Sequence, residues 1–229
     1  MIAAEEGLLP DLPQRLAAFG LLLRGGFHPE PADEVPPLAD GIPAGTLLMV
    51  GHAGTAFWAR MQSAGAAAGP DPIDRRSEKV LTALANDLGA RALFPFGGPP
   101  HHPFQRWACR ADPELAVSPL GILIHPDFGL WHALRGALLF ARRLPLPEPG
   151  RRASPCASCA TKPCLSACPV GAFTPAGYDV RACRSCLATL SGQPCMIQGC
   201  LARNACPVGR DHRYPTAQIQ HHMRAFARG

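Results

Sequence analysis

Several features that define common functional classes are missing from this sequence. No run of 18 apolar residues is present, so we expect no membrane span and no membrane partner. There is no Gly-x-Ser-x-Gly elbow, no phosphate-binding Gly-Lys-Ser/Thr loop and no zinc-protease His-Glu pair, which argues against a hydrolase. The first residues, Met-Ile-Ala-Ala-Glu-Glu, are acidic and lack the basic start and apolar core of a signal peptide, so we expect a cytoplasmic protein.

Cysteine and acidic residues are scarce in opposite parts of the chain. Cys109 is the single cysteine before residue 150, whereas nine cysteines lie between Cys156 and Cys206. Residues 1–149 carry 12 Lys and Arg against 15 Asp and Glu, a net charge of −3, and residues 150–229 carry 10 against 2, a net charge of +8. The overall charge of +5 therefore comes from a basic, cysteine-rich C-terminal third.

The clustered cysteines form two runs, each of which closes on the tetrapeptide Cys-Pro-Val-Gly. The first run contains Cys156, Cys159, Cys164 and Cys168, and the second contains Cys183, Cys186, Cys195, Cys200 and Cys206. Bacterial ferredoxins bind iron–sulfur clusters with closely spaced cysteines followed by a distant Cys-Pro, whose thiolate serves the other cluster of the pair. Two 4Fe-4S clusters need about eight thiolates. The sequence therefore predicts two 4Fe-4S clusters and one spare thiol.

Three other interpretations of the cysteines compete with this one. Zinc sites use four ligands, often as paired C-x2-C units, but only Cys156/Cys159 and Cys183/Cys186 have that spacing. A disulfide framework belongs to small secreted chains, which this N-terminus does not suggest. An ordinary core cysteine is the natural interpretation of Cys109 alone.

The basic C-terminal third has two explanations. A block of positive charge commonly indicates nucleic acid or an acidic partner. Two oxidised clusters with their thiolates carry about four negative charges, however, and nearby cations can balance these. The candidates are Arg151, Arg152, Lys162, Arg181, Arg184, Arg203 and Arg210. Counter-charge is the simpler explanation, so nucleic acid is not expected as a partner.

Apolar periodicity and turn residues predict a mixture of helices and strands. The predicted helices are Asp11–Arg24, Ala53–Ala67, about 71–88 and Thr216–Arg228, and the predicted strands are Gly45–Gly51 and Ala92–Phe96. Residues 28–43 are rich in proline and acid, which indicates irregular structure. Two apolar segments, Val117–His125 and Leu130–Phe140, are joined by Pro-Asp-Phe-Gly and predict a β-hairpin.

The segment around this predicted hairpin resembles the CblC cobalamin-processing proteins, which have a nitroreductase-like fold. The resemblance rests on Gly-Ile-Leu-Ile-His125-Pro126-Asp-Phe-Gly129-Leu-Trp131-His-Ala-Leu-Arg135-Gly, with weaker support from Gly45–Gly51 and Asp71-Pro-Ile-Asp. It covers about residues 40–150. By this resemblance His125, Pro126, Gly129, Trp131 and Arg135 would lie near a cobalamin or related cofactor. Packing is an equal alternative, since Trp131 fits a core, although the charge of Arg135 would need a partner.

The order of parts is similar to that of epoxyqueuosine reductases and reductive dehalogenases, in which a cobalamin-binding domain precedes two ferredoxin-type clusters. The resemblance implies an α+β chain with a nitroreductase/CblC-like domain at 1–146, a linker at 147–155 and a ferredoxin-like two-cluster domain at 156–229. It also implies the ligand sets. Cys156, Cys159, Cys164 and Cys206 would hold one cluster, and Cys168, Cys183, Cys195 and Cys200 the other. Cys186 would be spare, or would replace Cys183.

Two hypotheses for the function follow. In the first, the clusters pass electrons from a ferredoxin, flavodoxin or reductase to a cobalamin in the N-terminal domain, which would make the protein an oxidoreductase. In the second, it is a ferredoxin-type electron-transfer protein without corrin, whose N-terminal domain binds flavin, another partner or nothing. A lesser alternative is tRNA modification resembling epoxyqueuosine reductase. The acidic proton donor and the tRNA-binding C-terminal domain of those enzymes have no clear counterpart here, and the spacings around Cys164, Cys200 and Cys206 are longer than usual.

Overall fold

The structure is a computed structural model that describes residues 9, 11–66 and 69–228. Its strands are β1 Leu22–Phe27, β2 Thr46–Ala53, β3 Arg91–Leu93, β4 Ala116–Val117, β5 Leu123–Ile124, β6 His132–Phe140, β7 Phe173–Thr174 and β8 Gly177–Tyr178. Its α-helices are α1 Leu12–Ala17, α2 Ala56–Ser63, α3 Pro72–Leu88, α4 Phe104–Ala111, α5 Pro155–Ser158, α6 Pro163–Ser166, α7 Val180–Leu187, α8 Gln193–Gln198, α9 Leu201–Asn204 and α10 Thr216–Arg228. Single 3-10 turns lie at Pro31–Asp33, Leu190–Gly192 and Arg210–His212.

Contacts between residues divide the chain into two compact units. Unit 1 contains the described residues up to Pro113 together with His132–Arg151, and unit 2 contains Glu114–Trp131 together with residues 152–228. The sequence predicts a single boundary at 147–155. In the structure the segment 114–131 groups with the cysteine-rich part because Leu120, Ile124 and Leu130 share a hydrophobic cluster with its cysteines.

Unit 1 is built on a four-stranded antiparallel sheet with the order β1-β2-β6-β3. Residues 46–52 of β2 are all buried, which agrees with the buried strand predicted at Gly45–Gly51. Helix α3 covers the predicted segment, and Val80, Leu81 and Leu84 pack into the main core. The mixed helix and sheet content predicted for this region is therefore confirmed.

The first predicted helix is too long. Helix α1 ends at Ala17, and residues from Leu22 onward form β1, although Leu12 and Leu16 are buried as predicted. Gly20 has φ +74°, and a Cβ there would lie 2.5 Å from the backbone of Phe57. The chain turns at this glycine because a tertiary contact overrides the helical pattern.

The predicted hairpin of Val117–His125 with Leu130–Phe140 is wrong. Strand β4 pairs with β5, and β6 pairs with β2 and β3. The Pro-Asp-Phe-Gly turn does form, but it closes only one bridge, in which His125 N–H donates to Gly129 O at 2.9 Å and Gly129 N–H donates to His125 O at 2.8 Å. The last five residues of β6 are all buried, so this strand belongs to the interior of the sheet in unit 1.

Unit 2 consists of short helices and two small hairpins, β4-β5 and β7-β8. Its C-terminal helix α10 spans the predicted residues, and its apolar side contributes the buried Ile219 and the partly buried Met223 to a small core with Trp131 and Tyr214. In the part of the chain that the structure describes, no helix has both the length and the apolar character needed to cross a membrane.

Candidate metal centres

The nine clustered cysteines lie in unit 2, and all of them are free thiols. They fall into two groups around two cavities. The smaller cavity, of about 20 Å³, is lined by four cysteines. We name it the four-cysteine cavity, and its thiols are those of Cys156, Cys159, Cys164 and Cys206. The larger one, of about 380 Å³, is the five-cysteine cavity, and its thiols are those of Cys168, Cys183, Cys186, Cys195 and Cys200.

The grouping crosses the two sequence runs. Cys168 closes the first run but lines the cavity of the second, and Cys206 closes the second run but lines the cavity of the first. The two Cys-Pro-Val-Gly segments therefore exchange places. This is the exchange that the ferredoxin-type pattern predicts, in which the distant Cys-Pro serves the other site.

Short helices position the thiols of the four-cysteine cavity. Ser154 caps α5, since its hydroxyl accepts a hydrogen bond from the Cys156 N–H at 3.3 Å. Lys162 adopts φ +40° before α6, whose first turn carries the buried Cys164. Helix α6 packs against α9, and Cys206 follows soon after α9 ends at Asn204.

Helices also supply most thiols of the five-cysteine cavity. Cys183 and Cys186 lie one turn apart on α7, Cys195 lies in α8, and Cys200 is the residue before α9. The rest of the wall is largely apolar. It includes Leu120, Ile122, Phe173, Leu187, Met223 and Phe226.

The thiols are buried among one another, and this sets their acidity. Burial raises the pKa of Cys156, and the neighbouring Cys206 raises it further. Burial likewise raises the pKa of Cys195, with further contributions from Cys186 and Cys183. A crowded set of buried thiols stays protonated without a cation, whereas a bound metal ion deprotonates it.

Backbone amides point at several sulfurs. The Ala172 N–H donates to Cys168 Sγ at 3.3 Å. Burial raises the pKa of Cys200, and hydrogen bonding from the backbone N–H groups of Arg203 and Ala202 opposes this shift. Such bonds favour the charged thiolate, which is the form that binds metal. The donor set therefore fits an iron–sulfur cluster at each cavity.

Tyr178 lies at the five-cysteine cavity and was not anticipated from the sequence. Burial raises the pKa of Tyr178, and hydrogen bonding with Cys183 raises it further. Its ring stacks on Phe173 at a centroid distance of 4.7 Å and on Phe226 at 6.3 Å. Phe226 also lies under the Arg184 guanidinium at 5.1 Å. These contacts tie one wall of the cavity to β8 and α10.

Four of the five predicted cofactor residues lie in unit 2, where they make packing contacts. His125 is buried, and its Nδ1 accepts hydrogen bonds from the N–H groups of Asp127 and Phe128 at 3.1 and 3.4 Å. Because Nδ1 is an acceptor, we assign the ring proton to Nε2, which lies 3.6 Å from Glu114 Oε2. Pro126 is half-buried in the same turn.

Gly129 closes this turn against the second Cys-Pro-Val-Gly segment. Gly129 has φ +56°, and a Cβ there would lie 2.0 Å from the Val208 carbonyl oxygen. In the same way, a Cβ on Gly209 would lie 2.3 Å from the Phe128 carbonyl carbon. The two backbones touch, so both positions need glycine.

Trp131 is 3% exposed and packs edge-on against Tyr214, with ring centroids 5.5 Å apart. The Arg203 guanidinium lies 4.4 Å from the Trp131 ring centroid, and its Nε donates to the Leu130 carbonyl at 3.1 Å. Arg203 therefore stacks on Trp131 and is hydrogen-bonded to the Leu130 carbonyl. The sequence could suggest it only as a counter-charge.

Arg135, the fifth predicted cofactor residue, lies in β6 of unit 1. Its Nη1 is 3.2 Å from Asp74 Oδ1, and its Nε donates to the Leu134 carbonyl at 2.6 Å. Asp74 supplies the partner that a half-buried charge requires. None of the five predicted cofactor residues lines either cysteine cavity.

A second feature missed from the sequence is an ion cluster around Arg152. Its guanidinium lies 2.6 Å from Glu114 Oε1 and 2.6 Å from Asp127 Oδ2. Hydrogen bonding to Arg152 holds the pKa of both carboxyl groups below their usual range. Arg152 thus balances two carboxylates, which argues against its use as a cluster counter-charge.

Replacing Arg152 by glutamine is expected to raise the pKa of Glu114 and Asp127 toward the ordinary value of about 4. A carboxyl group with a depressed pKa stabilises the fold above its unfolded pKa and loses this contribution as the pH falls through its folded pKa. The stability difference between the two proteins should therefore be present at pH 7 and shrink below about pH 4. Carboxyl-carbon NMR titration measures both groups, with Arg151→Gln as the control. Unchanged titrations would contradict the ion cluster.

Comparison with known proteins identifies solved structures with a similar fold. No protein-family model matches the sequence, and no curated protein matches it. Among solved structures, the B12-trafficking protein CblC from C. elegans is similar with a TM-score of 0.53 and 14% identity, over 95% of this chain and 91% of that one. An epoxyqueuosine reductase with an epoxyqueuosine-modified tRNA-Tyr stem loop gives 0.51 and 15%, over 86% of this chain and 62% of that one. Epoxyqueuosine reductase from Bacillus subtilis gives 0.50 and 15%, over 86% and 63%.

The chain therefore shares the fold of CblC and of the epoxyqueuosine reductases. The resemblance to both, indicated by the sequence, is confirmed at the level of the fold. The chain spans less than two thirds of the length of these reductases.

Proposed function

We propose that this chain is an iron–sulfur redox protein that carries two 4Fe-4S clusters. One would be held by Cys156, Cys159, Cys164 and Cys206, and the other by Cys168, Cys183, Cys195 and Cys200. The observation that carries the proposal is the crossed grouping of the thiols around two cavities, with Cys206 in the first group and Cys168 in the second. Cysteines that served only as core residues would not be expected to place the last thiol of each run in the cavity of the other run.

Each bound cluster supplies one-electron transfer, and the residues of this chain set the conditions for it. Cys164 and Cys206 are 9% and 7% exposed, so water is largely excluded from the four-cysteine cavity. The Ala172 N–H donates to the Cys168 sulfur, and Tyr178 lines the same cavity as Cys183. Hydrogen bonds of this kind tune the reduction potential of a bound cluster.

The acceptor that we propose is a cobalamin held by the CblC-like part of the chain. Likeness to the fold of CblC supports this choice. His125, Gly129, Trp131 and Arg135 are engaged in contacts within the protein, so these residues are not the ones that would hold a corrin. An acidic ferredoxin, flavodoxin or reductase suits the net charge of +8 of residues 150–229 as the electron donor. The alternative is a ferredoxin-type protein without corrin, whose N-terminal part binds flavin or another partner.

Anaerobic purification followed by iron, sulfide and zinc analysis and by EPR of the reduced protein tests the clusters. About eight irons per chain are expected. Four irons or fewer would reject the pair, and stoichiometric zinc in place of iron would identify zinc sites. Titration with cobalamin then tests the acceptor: a shift of the corrin spectrum to the base-off form is expected, and an unchanged spectrum would reject corrin binding.

An RNA substrate is a second candidate, although the sequence argues against it. One of the similar structures carries a tRNA stem loop, and the C-terminal third of this chain is strongly basic. Phosphate binding by a basic surface weakens as salt rises. Binding of a tRNA stem loop that weakens with salt would support this function. No binding at low salt would exclude it.

A further inference from the structure

The five-cysteine cavity has one thiol more than a 4Fe-4S cluster takes. Cys183 and Cys186 lie three residues apart on α7, on one face of the helix, and both line the cavity. A cluster that needs one ligand from this helix could take either sulfur. We infer that Cys186 is a reserve ligand, which completes the second cluster site when Cys183 does not.

The surroundings distinguish the two thiols. Cys183 is half-buried, and it lines the cavity together with Tyr178, a residue of the β7-β8 hairpin that is 37% exposed. Cys186 is 8% exposed, and its backbone is fixed, since the Thr189 hydroxyl donates to its carbonyl oxygen at 2.7 Å. Cys183 is therefore the ligand on the accessible side of α7, and Cys186 is the deeper one.

Both thiols line the same cavity, and the rest of its wall is largely apolar. An exchange between them therefore stays within one cavity and needs no ligand from outside it.

The exchange is balanced without a further reactant. The bond between iron and the Cys183 sulfur breaks, and a bond between the same iron and the Cys186 sulfur forms. The proton of the Cys186 thiol passes to the released Cys183 thiolate. Neither the charge nor the oxidation state of the site changes.

This inference rests on the proposed clusters, so the experiment includes the unmodified protein. Alanine replacements are used because a serine hydroxyl could itself bind iron. The variants are Cys183→Ala, Cys186→Ala and the double variant, with Cys109→Ala of unit 1 as the control. We expect about eight irons in each single variant and about four in the double variant. A Cys183→Ala protein with only about four irons would overturn the inference, as would a Cys186→Ala protein that loses the same irons. Absence of iron from the unmodified protein would instead reject the clusters.

A second measurement tests whether the ligand has changed. Tyr178 and Cys183 line the same cavity. A hydroxyl that donates to the Cys183 sulfur would stabilise negative charge there, so its removal should lower the reduction potential of the second cluster. Tyr178→Phe should lower the potential in the unmodified background and leave it unchanged in the Cys183→Ala background. An equal shift in both backgrounds would overturn the assignment of Cys183 as the first ligand and Cys186 as its reserve.

Discussion

Replacement of Cys206 by alanine is expected to remove about half of the iron, namely the irons of the proposed cluster at the four-cysteine cavity. Cys206 belongs to the second run in the sequence, but its thiol lines the cavity of Cys156, Cys159 and Cys164. Loss of one of four ligands leaves an iron without its protein thiolate. Iron analysis and EPR of the reduced protein measure the effect.

The controls for this prediction come from the chain itself. Cys164→Ala removes another ligand from the same cavity, so its remaining EPR signal should match that of Cys206→Ala. Cys168→Ala should leave the complementary signal, since Cys168 lines the five-cysteine cavity. Cys109→Ala should leave all of the iron in place. If the Cys206→Ala signal matched that of Cys168→Ala, the crossed ligand sets would be wrong.

The crossed grouping of the thiols around the two cavities could be anticipated because it depends on a local pattern. Each run ends in a Cys-Pro, which neighbouring residues in the sequence are enough to show. In bacterial ferredoxins the cysteine of such a Cys-Pro serves the cluster of the other run. Buried segments with a clear period were predicted for the same reason. Strand β2 and helices α3 and α10 lie where the apolar spacing indicated.

The errors in the prediction come from tertiary contacts that leave no local signal. The apolar segment that became β6 was assigned to a hairpin because it follows a turn, but its pairing partners are β2 and β3. The roles of Tyr178 and Arg203 depend on which residues lie across from them, Cys183 in one case and Trp131 in the other. Periodicity and spacing do not encode such contacts.

The repeated Cys-Pro-Val-Gly offers the second large effect, because its two glycines have similar backbones and different surroundings. Gly171 has φ +58° and Gly209 has φ +66°, and each lies three residues after a predicted ligand. A Cβ on Gly171 would meet no heavy atom within 4 Å. A Cβ on Gly209 would lie 2.3 Å from the Phe128 carbonyl carbon and 2.4 Å from the Gly129 nitrogen.

Alanine at Gly171 is therefore expected to add only the cost of a left-handed backbone, about 1 kcal/mol in the free energy of unfolding. Alanine at Gly209 adds this cost and a clash with backbone that cannot rotate away, for a total of about 3 kcal/mol or more. Thermal unfolding of the two cluster-loaded variants under anaerobic conditions compares them, and Gly209→Ala should melt several degrees below Gly171→Ala. Equal melting temperatures would mean that the approach of Gly209 to Phe128 and Gly129 does not constrain unit 2. A lower value for Gly209→Ala would show that backbone contact with the second Cys-Pro-Val-Gly holds the turn after His125, beside the side-chain packing of Leu120, Ile124 and Leu130 against the cysteines.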